Sequence, residues 1–135
     1  MGRFILAAGL LLGSAAAADN LAGVDRFLCA TAEVILCVED GECFTIPPAE
    51  VDVPEFVIVD IDNKTLSTTR ASGLNRTTAV ATVTRAEGFI YMQGVDAGRA
   101  FSFVVNEATG HITAAVSRDG AAVAVFGACT DADVE

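Results

Sequence analysis

The stretch that decides the fold is RAFSFVVNEATGHITAAVS, at residues 99–117. Apolar side chains recur at every second position in both of its halves: Phe101, Phe103 and Val105, then Ile112, Ala114 and Val116. This is the period of a β-strand that buries one face. The turn sequence Ala-Thr-Gly at 108–110 separates the halves, so the stretch predicts two antiparallel strands joined by a hairpin.

The rest of the chain repeats this pattern at intervals of about ten residues, with turn residues such as Asp40-Gly41 and Asp119-Gly120 in the breaks. We predict nine strands, at residues 31–38, 42–46, 56–61, 65–70, 77–85, 89–95, 99–106, 111–117 and 121–128. Residues 19–27 suit a helical turn or an irregular lead-in as well as a strand. The alanine-rich run 121–125 also suits a helix, but its alternating valines favour a strand.

An antiparallel meander of eight or nine short strands has two edges to protect. Closure or near closure into an up-and-down barrel protects them, and a two-sheet sandwich is the alternative. The segment 65–84 is rich in Thr and Ser, which predicts a sheet edge or a wetter environment. We therefore predict an all-β single domain over residues 19–135, and we expect side chains to fill the interior of so small a barrel.

The first eighteen residues predict a signal peptide. Arg3 is followed by an apolar run at 4–12 and by small residues at 13–18, which is the order of a secretory leader. Nine apolar residues are too few to span a bilayer. We predict cleavage near Ala18/Asp19 and a periplasmic or secreted protein.

The acidic composition limits the classes of molecule that we expect as binding partners. The net charge is −10, and removal of Arg3 with the leader makes it more negative by one. Nucleic acid and anionic lipid would repel such a chain, so neither is an expected partner. A basic protein is compatible with the charge. After the leader, no stretch reaches the roughly twenty apolar residues of a membrane helix.

Four cysteines follow the leader: Cys29, Cys37, Cys43 and Cys129. An even number in an exported chain predicts two disulfides, for which three pairings are possible. A three-residue hairpin loop at 39–41 places Cys37 opposite Cys43 and leaves Cys29 for Cys129. A two-residue loop at 40–41 would instead place Phe44 opposite Cys37. The spacing lacks the Cys-x-x-Cys pattern of structural zinc sites.

Other candidate chemistry is weak. His111 is the only histidine, and it follows a turn, where a solvent-facing side chain is more usual than a catalytic one. Asp60 and Asp62 are weak candidates for calcium ligands. The acidic residue that closes an EF-type loop is missing, because residues 65–72 contain no Asp or Glu. We therefore predict no catalytic residue, no metal site and no cofactor.

Four segments together resemble an uncharacterised group of small exported proteobacterial proteins: RFLCA at 26–30, CVEDGEC at 37–43, FSFVVNEATG at 101–110 and FGACT at 126–130. The resemblance covers nearly the whole chain after the leader. It implies a shared fold built on cysteines, turns and core residues. It brings no activity and no catalytic residue.

These observations assign no specific activity. We expect a non-catalytic binding or structural β domain. The alternatives are a barrel that binds a small apolar ligand and an inhibitor of a basic cell-envelope hydrolase, and an enzyme is the least expected class. The ligand-binding alternative requires that the strand face carrying Phe101 and Phe103 enclose an empty apolar volume.

Overall fold

The computed structural model of the protein describes residues 20–132. The predicted signal peptide and its cleavage site at Ala18/Asp19 lie outside the described residues, as do residues 133–135. The described strands are β1 (Arg26–Val38), β2 (Cys43–Thr45), β3 (Phe56–Asp60), β4 (Thr65–Thr68), β5 (Thr77–Ala79), β6 (Thr82–Ala86), β7 (Phe89–Asp96), β8 (Arg99–Asn106), β9 (His111–Arg118) and β10 (Ala121–Thr130). Two 3-10 turns occupy Pro48–Val51 and Arg70–Ser72. The all-β prediction is confirmed.

All strand pairs are antiparallel and form one sheet in the order β5-β4-β3-β1-β10-β9-β8-β7-β6. β2 lies off this path and pairs with the second half of β1. The first and last strands are therefore neighbours, and the sheet curls into a half-barrel meander. Among residues 20–132, no helix is long and apolar enough to cross a membrane.

The sheet opens between β5 and β6, which follow each other in the chain. The predicted single strand 77–85 is therefore wrong in one respect, because it is two strands with different partners. Val80 donates its N–H to the Lys64 carbonyl at 2.8 Å, while Ala81 donates to the Gln93 carbonyl at 2.9 Å. The chain thus leaves one edge of the sheet and joins the other within two residues. This confirms that the Thr- and Ser-rich segment lies at a sheet edge.

The inner face of the curl forms the core. The largest fully buried side chains of its cluster are Leu21, Phe27, Val59, Ile90, Met92 and Val105. Phe101 and Val105, predicted to share a buried face, are both in this cluster. β1 begins five residues earlier than predicted because residues 26–30 find a partner in β3.

Both predicted disulfides are present. Cys29 and Cys129 are bonded and lie directly opposite each other in β1 and β10, where both are buried in the core. The second disulfide links Cys37 to Cys43 across β1 and β2.

The connecting loop has the predicted three residues. Val38 donates to the Glu42 carbonyl and Gly41 donates to the Val38 carbonyl, both at 2.9 Å. Gly41 has a φ of +93°, in the left-handed region that glycine tolerates.

Candidate functional site

One end of the half-barrel is closed by the segment that precedes β1. Leu21 is fully buried beneath the sheet, and its N–H donates to the Glu107 carbonyl at 2.7 Å. Arg85 holds the same segment by donating to the Asp25 carboxylate at 2.6 Å and to the Val24 carbonyl. Its Nε also lies 3.5 Å from the Glu107 carboxylate. We call this the closed end.

The other end leads into a cavity of about 150 Å³ between the inner faces of the strands. Most of its exposed lining is apolar, and the apolar side chains include Val57, Val59, Leu66, Phe101, Phe103 and Ile112. Side chains therefore do not fill the interior completely, contrary to the expectation for so small a barrel. The strand face carrying Phe101 and Phe103 lines a mainly apolar cavity that opens at this end.

A glycine positions the aromatic wall. Gly94 on β7 pairs with Phe101 on β8, and a Cβ at residue 94 would lie only 2.4 Å from the ring of Phe101. Because Gly94 has no side chain, that ring can lie against β7. The rings of Phe101 and Phe103 have centroids 5.2 Å apart, a spacing within the favourable range for aromatic pairs.

The mouth of the cavity is charged. Five ionisable residues line it: Asp52, Arg76, Asp96, Arg99 and Arg118. Two of them are held by neighbouring groups. Arg76 donates from Nη1 to the Asp52 carbonyl at 3.0 Å, and the Asp96 carboxylate accepts a hydrogen bond from the Thr78 hydroxyl at 3.1 Å.

Strand register brings the other two arginines together. Phe101 pairs with Val116 and Ala100 with Ser117, so the next positions, Arg99 and Arg118, are adjacent at the ends of β8 and β9. Each lies two residues from an inner-face side chain and therefore points to the cavity side. Within residues 20–132, neither guanidinium forms an ion pair. We call this end, with its three arginines, the open end.

A second hollow lies on the outer face, over β7, β8 and β9. Its volume of about 410 Å³ is larger, but it is broad and open, and polar side chains such as Gln93 and Ser102 form part of its lining. An apolar ligand would remain in contact with water there. The inner cavity is therefore the stronger candidate site, because it lies between the inner faces of the strands and is less open to solvent.

The residues weighed as metal ligands lie away from this cavity. The Asp60 carboxylate accepts hydrogen bonds from the Asn63 side-chain amide at 2.8 Å and from the Asn63 backbone N–H at 3.0 Å. These bonds lower the pKa of Asp60, because they stabilise the charged form. Asp62 lies in the turn after β3. Within residues 20–132, no group of three or more His, Cys, Asp or Glu side chains is arranged to hold a metal ion.

His111 is exposed at the start of β9, where its backbone N–H donates to the Thr109 hydroxyl at 3.2 Å. It lies outside the cavity lining. Within the described residues, the cavity brings together an apolar wall, three arginines and the hydrogen bond from the Thr78 hydroxyl to the Asp96 carboxylate. Such an arrangement can bind and orient a ligand.

Sequence reasoning missed the arginines of the open end. A signal for two of them was present, because Arg99 and Arg118 continue the every-second-residue pattern of Phe101 and Val116 beyond the apolar part of each strand.

Comparison of the chain with protein-family models, curated proteins and solved structures found no match.

Proposed function

We propose that this protein is a non-catalytic binding domain whose half-barrel holds a small apolar ligand, or the apolar part of one. The observation that carries the proposal is the cavity of about 150 Å³ behind Phe101 and Phe103. Well-packed interiors contain few voids larger than a water molecule. The side chains that line an apolar cavity of this size therefore lack van der Waals contacts that a bound ligand would supply.

The size of the cavity limits the ligand. An apolar cavity of about 150 Å³ accommodates a molecule such as benzene, whereas typical drug-sized sites occupy ~300–1,000 Å³. The occupant is therefore a single ring or a short aliphatic chain. Inhibition of a basic envelope hydrolase is supported by the net charge alone, whereas the cavity supports binding of a small molecule.

We also propose that the protein acts outside the cytoplasm, in the periplasm or after secretion, following cleavage near Ala18/Asp19. The two disulfides support this, since such bonds persist mainly in oxidising compartments. N-terminal sequencing of protein recovered from the cell envelope would test it, and a chain that still began at Met1 would contradict it.

Ligand binding can be tested with benzene as a neutral probe and with paired variants on β9. Ala114 is buried and lines the cavity, whereas its neighbour Ala115 is exposed on the outer face. We expect benzene to shift the backbone NMR signals of cavity-lining residues saturably in the wild type and in Ala115→Leu. In Ala114→Leu, the added methyl groups occupy the space and binding should be lost.

A second variant guards against simple misfolding of the first. In Gly94→Ala, the new methyl group should push the Phe101 ring away from β7 and into the cavity, and binding should weaken while far-UV circular dichroism stays unchanged. If Ala114→Leu and Gly94→Ala both fold and bind benzene as the wild type does, the ligand is not held in this cavity. The proposal would then be wrong.

A further inference from the structure

We infer that the ligand is an amphipathic carboxylate, whose apolar tail lies in the cavity and whose carboxylate is held by Arg99 and Arg118 at its mouth. This inference rests on the proposed function and names the class of ligand. Both guanidinium groups line the same cavity as Phe101 and Phe103. An apolar wall and a pair of cations are thus available to a single small molecule.

The first support is the local charge. Three of the eight basic residues of the chain line this one cavity, but only two of its eighteen acidic residues do. The sign of the charge at the mouth is therefore opposite to that of the whole protein. At physiological ionic strength, charges beyond a Debye length of about 8 Å are largely screened, so a bound anion would respond mainly to the arginines around it.

The second support comes from the hydrogen bonds and ion pairs around these two arginines. Arg76 already donates to the Asp52 carbonyl, and the Asp96 carboxylate accepts from Thr78. Arg99 lies directly opposite Asp96 in the β7–β8 pairing, but neither Arg99 nor Arg118 forms an ion pair within residues 20–132. Like charges that face each other on neighbouring strands destabilise a sheet, so an anion between them would relieve the repulsion.

The geometry of arginine favours a carboxylate over a neutral polar group. A guanidinium presents parallel N–H donors that match the two oxygens of a carboxylate, and such charge-assisted bonds are roughly twice as strong as neutral ones. The apolar wall disfavours a bare inorganic anion, which would leave the cavity empty. A monocarboxylate of about six carbons satisfies both parts of the site.

Two ligands that share a six-carbon chain test the inference. Hexanoate carries the carboxylate, and hexan-1-ol carries a neutral hydroxyl in its place. We expect calorimetry at pH 7 to show hexanoate binding at least tenfold more tightly than hexan-1-ol, about the effect of one charge-assisted hydrogen bond. Arg99→Gln and Arg118→Gln should each weaken hexanoate binding about tenfold and leave hexan-1-ol binding unchanged.

Lys64→Gln supplies the matched control. It removes the same unit of charge from the turn between β3 and β4, outside the cavity lining, and should leave the affinity for both ligands unchanged. An equal loss of hexanoate affinity in Lys64→Gln would show a general charge effect and overturn the inference. So would equal binding of hexanoate and hexan-1-ol by the wild type.

The two proposals fail in different ways. If hexan-1-ol binds in the cavity as tightly as hexanoate, the carboxylate inference is wrong and the apolar site stands. If neither ligand binds there and Ala114→Leu changes nothing, the proposed function itself is wrong. Unchanged far-UV circular dichroism of the arginine variants would show that a loss of binding is not a loss of fold.

Discussion

The two ends of the half-barrel are built from opposite kinds of interaction. At the closed end, Leu21 is 0 % exposed and Arg85 is engaged by an aspartate, a glutamate and a carbonyl. At the open end, Arg99 and Arg118 form no ion pair among the described residues, and an apolar cavity lies beneath them. At the closed end the polar groups bond to one another. At the open end, guanidinium donors and apolar surface remain available to a ligand.

This difference indicates that the closed end contributes to the stability of the fold and that the open end contributes to ligand binding. Burial of apolar side chains and completed hydrogen bonds stabilise a fold, whereas unpaired charges beside a void do not. Substitutions at the closed end should therefore lower the free energy of unfolding. Substitutions at the mouth of the cavity should change affinity and leave stability almost unaltered.

The largest expected difference in the free energy of unfolding is between variants that lack one or the other disulfide. Cys29–Cys129 lies in the core and closes a separation of 100 residues, whereas Cys37–Cys43 lies in the β1–β2 hairpin and closes a separation of 6. In the chain-entropy model, removal of the first costs about 4–5 kcal/mol and removal of the second about 2 kcal/mol. Denaturation of the two Cys→Ala double variants in urea under non-reducing conditions measures both. Equal losses would show that the hairpin disulfide matters as much as the core disulfide.

Leucine truncation tests the same contrast without cross-links. Leu21 is fully buried, whereas Leu74 is 52 % exposed in the loop before β5. Leu21→Ala should cost about 2–5 kcal/mol through lost burial and the cavity left behind, and Leu74→Ala should stay within about 0.5 kcal/mol. Thermal melting of both variants provides the measurement. A small effect at Leu21 would mean that the segment before β1 does not close this end.

The smallest expected effect concerns acid stability at the turn after β3. The Asn63 amide lowers the pKa of Asp60 from its ordinary 3.8, so Asn63→Ala should raise that pKa toward 3.8. The stabilisation from the ionised carboxylate is present above its unfolded pKa and is lost as the pH falls through its lower, folded pKa. The variant should therefore be slightly less stable than the wild type at pH 7, with the difference vanishing in acid. NMR titration of the Asp60 carboxyl carbon would reveal an unchanged pKa if the backbone bond alone sets it.

Local patterns predicted much of the fold. Alternating apolar residues identified the strands over 99–117, and the loop at 39–41 fixed the register that pairs Cys37 with Cys43. These features depend on a few neighbouring residues whose turn and strand geometries are restricted. Local patterns also gave the remaining pair, Cys29 with Cys129, by elimination.

Features that depend on distant residues were not predicted. Nothing in Thr-Ala-Val-Ala-Thr at 78–82 signals a change of partner strand, because the change depends on where β4 and β7 lie in the folded sheet. Leu21 is buried in a segment whose backbone bonds to Glu107, far along the chain. The cavity itself is a property of packing between several strands, including the space that Gly94 leaves for the Phe101 ring.

The pairing of β1 with β10 has a consequence for how the protein is made. These strands are neighbours in the sheet, yet Cys29 and Cys129 are 100 residues apart in the chain. During synthesis from the N-terminus, β1 has no β10 to pair with until residues 121–130 have been added. Contacts of such long range slow folding, and an unpaired strand edge promotes aggregation. We therefore expect the nascent chain to need protection of β1 until its last strand arrives.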